Sequence, residues 1–203
     1  MKQEVEIKIK LSPSQFKKFQ KWLKSNAKYQ GTENHLEYYL NNPKEPFISK
    51  DKRGFVDAMK YLRVRFQEKS ASVCFKDWYL DEEGKMGSHC DEYEYDVSDG
   101  KEALELFENI GFSEKTKVEK TRKKYTTKDF EFVIDNVVGL GVFVEIELLK
   151  VENVKKGILK IYRFLADLGY RKVRRYTRGY VSIIWNKHLD LSEEISLSQF
   201  EDK

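Results

Sequence analysis

The sequence predicts an α+β fold in which an antiparallel sheet carries helices on one of its faces. Three observations predict it. Period-2 alternation of charged and apolar residues recurs in segment after segment, beginning with Glu4, Glu6 and Lys8 against Val5, Ile7 and Ile9. Three segments carry apolar stripes at helical spacing. Between the helices, strands follow one another through short turns, as antiparallel neighbours do, and do not alternate with helices.

The first strand spans 2–11 and the first helix runs from Pro13 to near Ala27. Ser12-Pro13-Ser14-Gln15 supplies a cap, proline at the first helical position and a capping-box glutamine. Phe16, Phe19 and Leu23 form its stripe. Residues 29–40 read as a strand, and 41–57, with Pro43, Pro46 and Gly54 among charges, as a long exposed loop. Strands follow at 58–69, 71–80 and 88–97, the last two joined by a turn at Asp81–Lys85. A second helix spans 99–109, with Ala103, Leu104, Phe107 and Ile110 inward and Gly111 as its stop. Strands at 115–127, 130–138 and 142–150 form a meander with turns at Lys128-Asp129 and Gly139-Leu140-Gly141. A third helix at 153–168 presents Ile158, Ile161, Leu165 and Leu168 and closes on Gly169. A short strand at 170–176 and a turn or helix through Tyr180–Asn186 complete the fold, and the last dozen polar residues are expected to be loosely held.

Composition narrows the class. A chain of 203 residues holds one medium domain or two small ones. Aromatic residues at 14% supply enough apolar area to argue against disorder, even with 35% charged residues. The net charge is only +4, from 38 basic and 34 acidic residues, which gives no reason to expect a nucleic-acid coat or a membrane-surface protein. No apolar run reaches a membrane span, and Met-Lys-Gln-Glu is no signal peptide. Cys74 and Cys90 are too few for a disulfide scaffold and are expected as reduced thiols of a cytoplasmic protein.

Charge is sorted by strand. The polar faces give Glu4, Glu6 and Lys8, then Arg63 and Arg65, then Lys76, then Glu92, Glu94 and Asp96. Lys120, Arg122 and Lys124 come next, then Asp135, then Glu145 and Glu147. An ordinary solvated face mixes signs to gain cross-strand pairs. Concentrated like charge costs stability unless a ligand of opposite sign offsets it. Carboxylate pairs suit Mg²⁺ or Mn²⁺, and arginine pairs suit phosphate, because the guanidinium fork binds two oxygens at once. Together they suggest a metal–polyphosphate complex.

These residues resemble the CYTH superfamily of triphosphate tunnel metalloenzymes, which includes class IV adenylyl cyclases, thiamine triphosphatases and inorganic triphosphatases. Glu4-Val5-Glu6-Ile7-Lys8 is similar to its E-x-E-x-K, Leu62-Arg63-Val64-Arg65 to its L-R-x-R, and Phe75-Lys76 to its strand lysine. Glu92-Tyr93-Glu94, Lys120-Thr121-Arg122, Asp135 and Gly139-Leu140-Gly141…Glu145-Ile146-Glu147 follow in the family order. The resemblance covers 1–185 and implies a closed eight-stranded antiparallel barrel with helices outside and a charged tunnel inside. The family's basic-Ser-Tyr signature stands here as Arg178-Gly179-Tyr180, without its serine. The family domain is placed at 1–188, with 189–203 as a polar tail.

The charges then divide into roles. Arg63, Arg65, Lys76, Lys120, Arg122 and Arg178 would bind a triphosphate. Glu4, Glu6, Asp135, Glu145 and Glu147 would hold Mg²⁺ or Mn²⁺, and Lys8, Glu92 and Glu94 would serve the chemistry. His35 is expected as a solvent-facing strand histidine, ahead of a catalytic one, and Trp78 as rim filler or a stacking platform. The first reading is a metal-dependent triphosphatase, since hydrolysis needs no purine pocket. A class IV adenylyl cyclase making cyclic AMP and pyrophosphate is the alternative, and a non-catalytic polyphosphate-binding module the third. The expected partner is a small triphosphate molecule, not nucleic acid or membrane, with homodimerisation left open.

Overall fold

The computed structural model describes residues 5–50, 54–58, 60–80, 86–150 and 153–200, with backbone alone at 49, 78–80 and 86–90. Glu4, the turn at 81–85 and the side chains of Trp78 and Cys90 therefore lie outside the described residues. In chain order the elements are β1 (Val5–Lys10), α1 (Pro13–Asn26), β2 (Lys28–Asn41), β3 (Ile48–Lys50), β4 (Val56–Ala58), β5 (Lys60–Phe66), β6 (Ala71–Leu80) and β7 (Met86–Val97). There follow α2 (Gly100–Asn109), β8 (Ser113–Thr126), β9 (Phe130–Val137), β10 (Gly141–Leu148), α3 (Val154–Asp167), β11 (Lys172–Tyr176), α4 (Tyr180–Trp185) and β12 (Ser192–Ser196).

Local signals decide most boundaries. The Ser12 hydroxyl accepts from Gln15 N, and the Gln15 side chain accepts from Ser12 N, so the capping box starts α1 as its sequence requires. The Asp99 carboxylate caps α2 by accepting from the Lys101 and Glu102 amides. Gly139 and Gly141 bracket the β9–β10 turn with φ of 75° and 85°, a region that side-chain-bearing residues rarely adopt.

The large sheet differs from the expected closed barrel of eight strands. Its order is β12-β11-β1-β10-β9-β8-β2-β5-β6-β7, ten strands with two ends. The extra strand past β11 has a local cause. Arg174 and Arg175 sit directly opposite Glu194 and Glu193 in the β11–β12 ladder, and opposite charges across a pair stabilise it. Residues expected to be loosely held are thus paired, and Leu197 just beyond them is fully buried. The stretch expected as one long loop contains the β3–β4 hairpin.

The chain divides into two compact units. One comprises 1–32, 121–179 and 190–203, and the other 33–120 and 180–189. In the first, Val5, Ile7 and Ile9 of β1, Phe132 and Ile134 of β9, and Val144 and Ile146 of β10 face the apolar stripes of α1 (Phe19, Leu23) and α3 (Ile161, Leu165). Gly157 lets α3 approach closely, since a Cβ there would stand 3.1 Å from Val5. In the second unit Leu40, Leu62 and Val64 pack with Phe66, Val73 and Phe75 under Ala103, Leu104 and Phe107 of α2. Ile110, expected to point inward, is exposed, because α2 ends one residue before it. Each large side chain that is fully buried among them, such as Ile9, Phe19 or Val64, contributes roughly 1.5–3 kcal/mol by leaving water. Because strand side chains alternate, burying these faces under helices turns the charged residues to the opposite face. Among the described residues no helix is long and apolar enough to cross a membrane.

Candidate active site

In the second unit the expected phosphate-binding cations gather around a residue that the charge sorting passed over, Glu37. Register places Glu37 opposite Arg65 and Tyr39 opposite Arg63 on β2 and β5. Glu37 is fully buried. Its Oε1 receives Arg65 Nε at 2.9 Å and Lys120 Nζ at 3.3 Å, with an Arg63 terminal nitrogen at 3.7 Å. The Tyr39 hydroxyl donates to Oε2 at 3.0 Å. Burial by itself would raise the Glu37 pKa. Lys120, Arg63 and Arg65 more than reverse that, so the carboxyl sits far below the usual carboxylate range. Burial, then the Glu37 charge, pushes the Tyr39 phenol well above its ordinary value. Tyr39 therefore stays protonated and remains a donor.

The same two arginines also reach Glu94, opposite Cys74 on β7. Arg63 donates to Glu94 Oε1 at 3.3 Å, Arg65 at 3.4 Å and the Ser72 hydroxyl at 3.0 Å. Glu94 is more than a third exposed. Each arginine thus spans from a fully buried carboxylate to a partly exposed one. Alongside, Lys76 pairs with Glu92 at 2.9 Å, and the Cys74 thiol donates to Glu92 at 3.4 Å. Burial raises the Glu92 pKa, and the hydrogen bond and charge of Lys76, the Cys74 hydrogen bond and the Arg63 charge together outweigh it and lower the carboxyl overall. Cys74 is free, and burial pushes its thiol up to about 12. Donor atoms of Cys74, Glu92 and Glu94 lie within 4.8 Å of one another. A thiol among them suits a softer cation than Mg²⁺, and basic side chains already engage both carboxylates.

The first unit carries the acid-rich set. Arg122 donates from Nε and a terminal nitrogen to both oxygens of Asp135, at 2.7 and 2.6 Å, and to Glu145 at 2.8 Å. Asp135 is fully buried. Lys8, opposite Glu145 in the β1–β10 ladder, lies 3.3 Å from it and donates to the Arg178 carbonyl at 3.4 Å. Glu6 stands opposite Glu147, and Glu147 opposite Glu131, so three carboxylates share one cross-strand row. Glu131 also pairs with Lys124 at 3.1 Å. Like charges directly opposite one another destabilise a sheet, and an all-oxygen row is the donor chemistry that Mg²⁺ or Mn²⁺ takes. Among the described residues only Cys74, Glu92 and Glu94 bring three donor atoms within 4.8 Å of one another, so this row matches the cation in donor type alone.

Sequence reasoning missed Glu37 and Glu131, although both had a signal. Glu37 alternates with Leu36 and Tyr38 on a strand whose polar face was not sorted, and Glu131 lies at period 2 from Asp135. His35, expected to face solvent, is buried instead. Its Nε2 lies 2.9 Å from Glu33 Oε2 and 3.1 Å from Gln67 Nε2, because β2 turns His35 to the same face as Glu37. Tyr180, whose role the missing serine put in doubt, is buried on α4 with Lys120 Nζ 5.1 Å from its ring centre.

Comparison with known proteins places these residues in context. The model of the CYTH domain family matches residues 2–180. An adenylate cyclase candidate of Methanocaldococcus jannaschii is 28% identical over 182 residues, which cover 89% of this chain and 97% of that protein. The solved PH1819 protein of Pyrococcus horikoshii is 27% identical with a TM-score of 0.70, covering 91% of this chain and 99% of its own. An adenylyl cyclase candidate from Hippeastrum, described as having a dominant triphosphatase activity, shares the fold at 16% identity. Its TM-score is 0.66, with 92% and 96% of the two chains covered.

Proposed function

This chain belongs to the CYTH domain family, and from that premise we propose that it hydrolyses a triphosphate with the help of Mg²⁺ or Mn²⁺. The observation that carries the reading is the convergence of Arg63, Arg65 and Lys120 on one buried carboxylate. Three cations held together, two of them planar forks, form a receptor for several phosphate oxygens at once. Lys76 of the same unit, and separately Arg122 and Arg178, are proposed as further phosphate-binding cations. Glu6, Glu145 and Glu147, with Glu4 and Glu131, would hold the divalent cation, and Asp135, fully buried with both oxygens on Arg122, would position that arginine. When bound, that cation supplies charge neutralisation at the phosphate oxygens.

The chain's own residues supply the rest. The cations orient the triphosphate, Glu92 and Glu94 hold the attacking water in line with the terminal phosphorus, and Lys8 offsets the charge that gathers as the bridging P–O bond breaks. The products are inorganic phosphate, the shortened polyphosphate and a proton. Such chemistry asks mainly for position and charge complementarity. The working domain in this reading is 1–188, in a cytoplasmic setting that the free Cys74 thiol suits.

One observation favours a second reading. The Methanocaldococcus relative bears a cyclase description, and in a cyclase the 3′-hydroxyl of ATP would take the place of water and attack the α-phosphorus, releasing pyrophosphate. One assay separates the two. ATP, thiamine triphosphate and inorganic triphosphate are each incubated with Mg²⁺ or Mn²⁺, and phosphate, pyrophosphate and cyclic AMP are resolved. Phosphate release from inorganic triphosphate is expected. Cyclic AMP with stoichiometric pyrophosphate from ATP, and no phosphate from any substrate, would replace hydrolysis by the second reading.

A further inference from the structure

Resting on the triphosphate reading above, we propose that Glu37 is a positioning residue, which holds Arg63, Arg65 and Lys120 in the arrangement a triphosphate meets on arrival. Glu37 is fully buried, so it does not itself touch a ligand. One of its oxygens serves cations from two strands, Arg63 and Arg65 on β5 and Lys120 on β8. The other oxygen is held by the Tyr39 hydroxyl, which keeps the carboxylate from turning. Long basic side chains lose much rotamer freedom when a ligand orders them. Here that ordering is accomplished during folding, before any anion arrives.

Simple Coulomb reasoning argues the other way, since removing a negative charge should make the receptor more attractive to an anion. Burial decides against it. Lys120 is almost fully buried, and the groups around it include Glu37 on β2, Arg63 and Arg65 on β5 through the shared oxygen, and the Tyr180 ring on α4. Without the Glu37 carboxylate the ammonium loses a counter-charge 3.3 Å away and Arg65 loses its 2.9 Å acceptor, so three crowded cations repel one another and turn apart. The attraction gained by removing one negative charge is then outweighed by the loss of the geometry that lets several cations meet one phosphate chain together. Glu94 is different. It shares the same two arginines but is partly exposed, so an arriving phosphate can displace it.

The test uses the full chain and inorganic triphosphate, with binding measured by calorimetry in EDTA. At pH 8, Glu37→Gln, which keeps size and acceptor, is expected to raise Kd about tenfold, and Glu37→Ala further. Glu37→Asp should recover part of the loss. In turnover assays KM should rise while kcat at saturation moves less than about threefold. A folded Glu37→Gln with wild-type Kd overturns the proposal. A second readout needs no ligand. In ¹⁵N spectra the Arg65 Nε–H should be protected from exchange in the wild type and exposed in Glu37→Ala or, if that fails to fold, weakened in Glu37→Asp. An unprotected Arg65 Nε–H in the wild type also sinks it. If the wild type binds no triphosphate but shows the protected Nε–H, the triphosphate reading fails and the positioning role stands.

Discussion

The cluster around Glu37 and the set around Arg122 are built from the same side chains in opposite proportions. In the first, three cations share one buried carboxylate, and two of them also share a partly exposed one. In the second, one arginine and one lysine engage Asp135 and Glu145, and a row of Glu6, Glu147 and Glu131 adds further acid. Both place a fully buried acid behind an arginine, so burial does not distinguish them. Surplus sign does. A surplus of cations prepares for phosphate oxygens, and a surplus of carboxylates prepares for a divalent metal.

Glu147→Gln is expected to show the largest effect. Taking one donor from the carboxylate row should lower kcat at least about 100-fold in saturating Mg²⁺ or Mn²⁺, with the thermal transition not lowered, because like-charge repulsion is relieved. Wild-type turnover in that variant, or full activity in EDTA, ends the assignment of the row to a cation. Next comes Arg63→Ala, which removes a nearly buried charge from the other cluster. It should raise KM about 30-fold, close to 2 kcal/mol, with a smaller change in kcat. Lys8→Ala should reverse that pattern, lowering kcat about tenfold while KM moves less, as for a contact made mainly in the transition state. A Lys8 variant defective only in KM would make Lys8 one more anchor and erase the distinction.

The comparison also has a pH signature. Glu37 is ionised in the folded state far below its unfolded value, so its contribution to stability is complete above an unfolded pKa of about 4.3 and is lost as pH falls towards the folded value. Denaturant titrations at pH 7 and pH 3 should show the stability gap between wild type and Glu37→Gln closing in acid. A constant gap would mean that the carboxylate's charge is not what stabilises the cluster. The smallest effect is expected from Cys74→Ser. Its thiol stands opposite Arg63 and Glu94 but stays protonated, so steady-state parameters should move less than about threefold. A larger loss would give that thiol a part in the chemistry.

Much of this was legible in the chain. Ser12 and Gln15, Asp99, and the glycines at 139 and 141 announce their helix starts and turn through local chemistry alone. The sign-sorted strands announced both charge sets. What escaped was non-local. Glu37 sits between Leu36 and Tyr38 and looks like any strand acid until β5 and β8 bring three cations to it. Glu193 and Glu194 read as a polar tail until Arg174 and Arg175 stand opposite them. The three-residue strands β3 and β4 are too short for any period to register.

Leu197 carries one more consequence. It is buried in a core that also contains Val5, so this unit draws on chain from both sides of a long intervening stretch. A ribosome delivers residues in order, at roughly 5–20 per second. During those seconds β1 and α1 have emerged, but β10, their neighbour α3 and Leu197 have not. The apolar face of β1 must wait, exposed, for partners made much later. In the other unit the cluster of Leu40, Leu62 and Val64 draws on nothing beyond Phe112 and can form while synthesis continues, although 180–189 join that unit only afterwards. The pairing of β1 with β10, which sets Lys8 opposite Glu145, therefore waits on chain made long after Arg63 and Arg65.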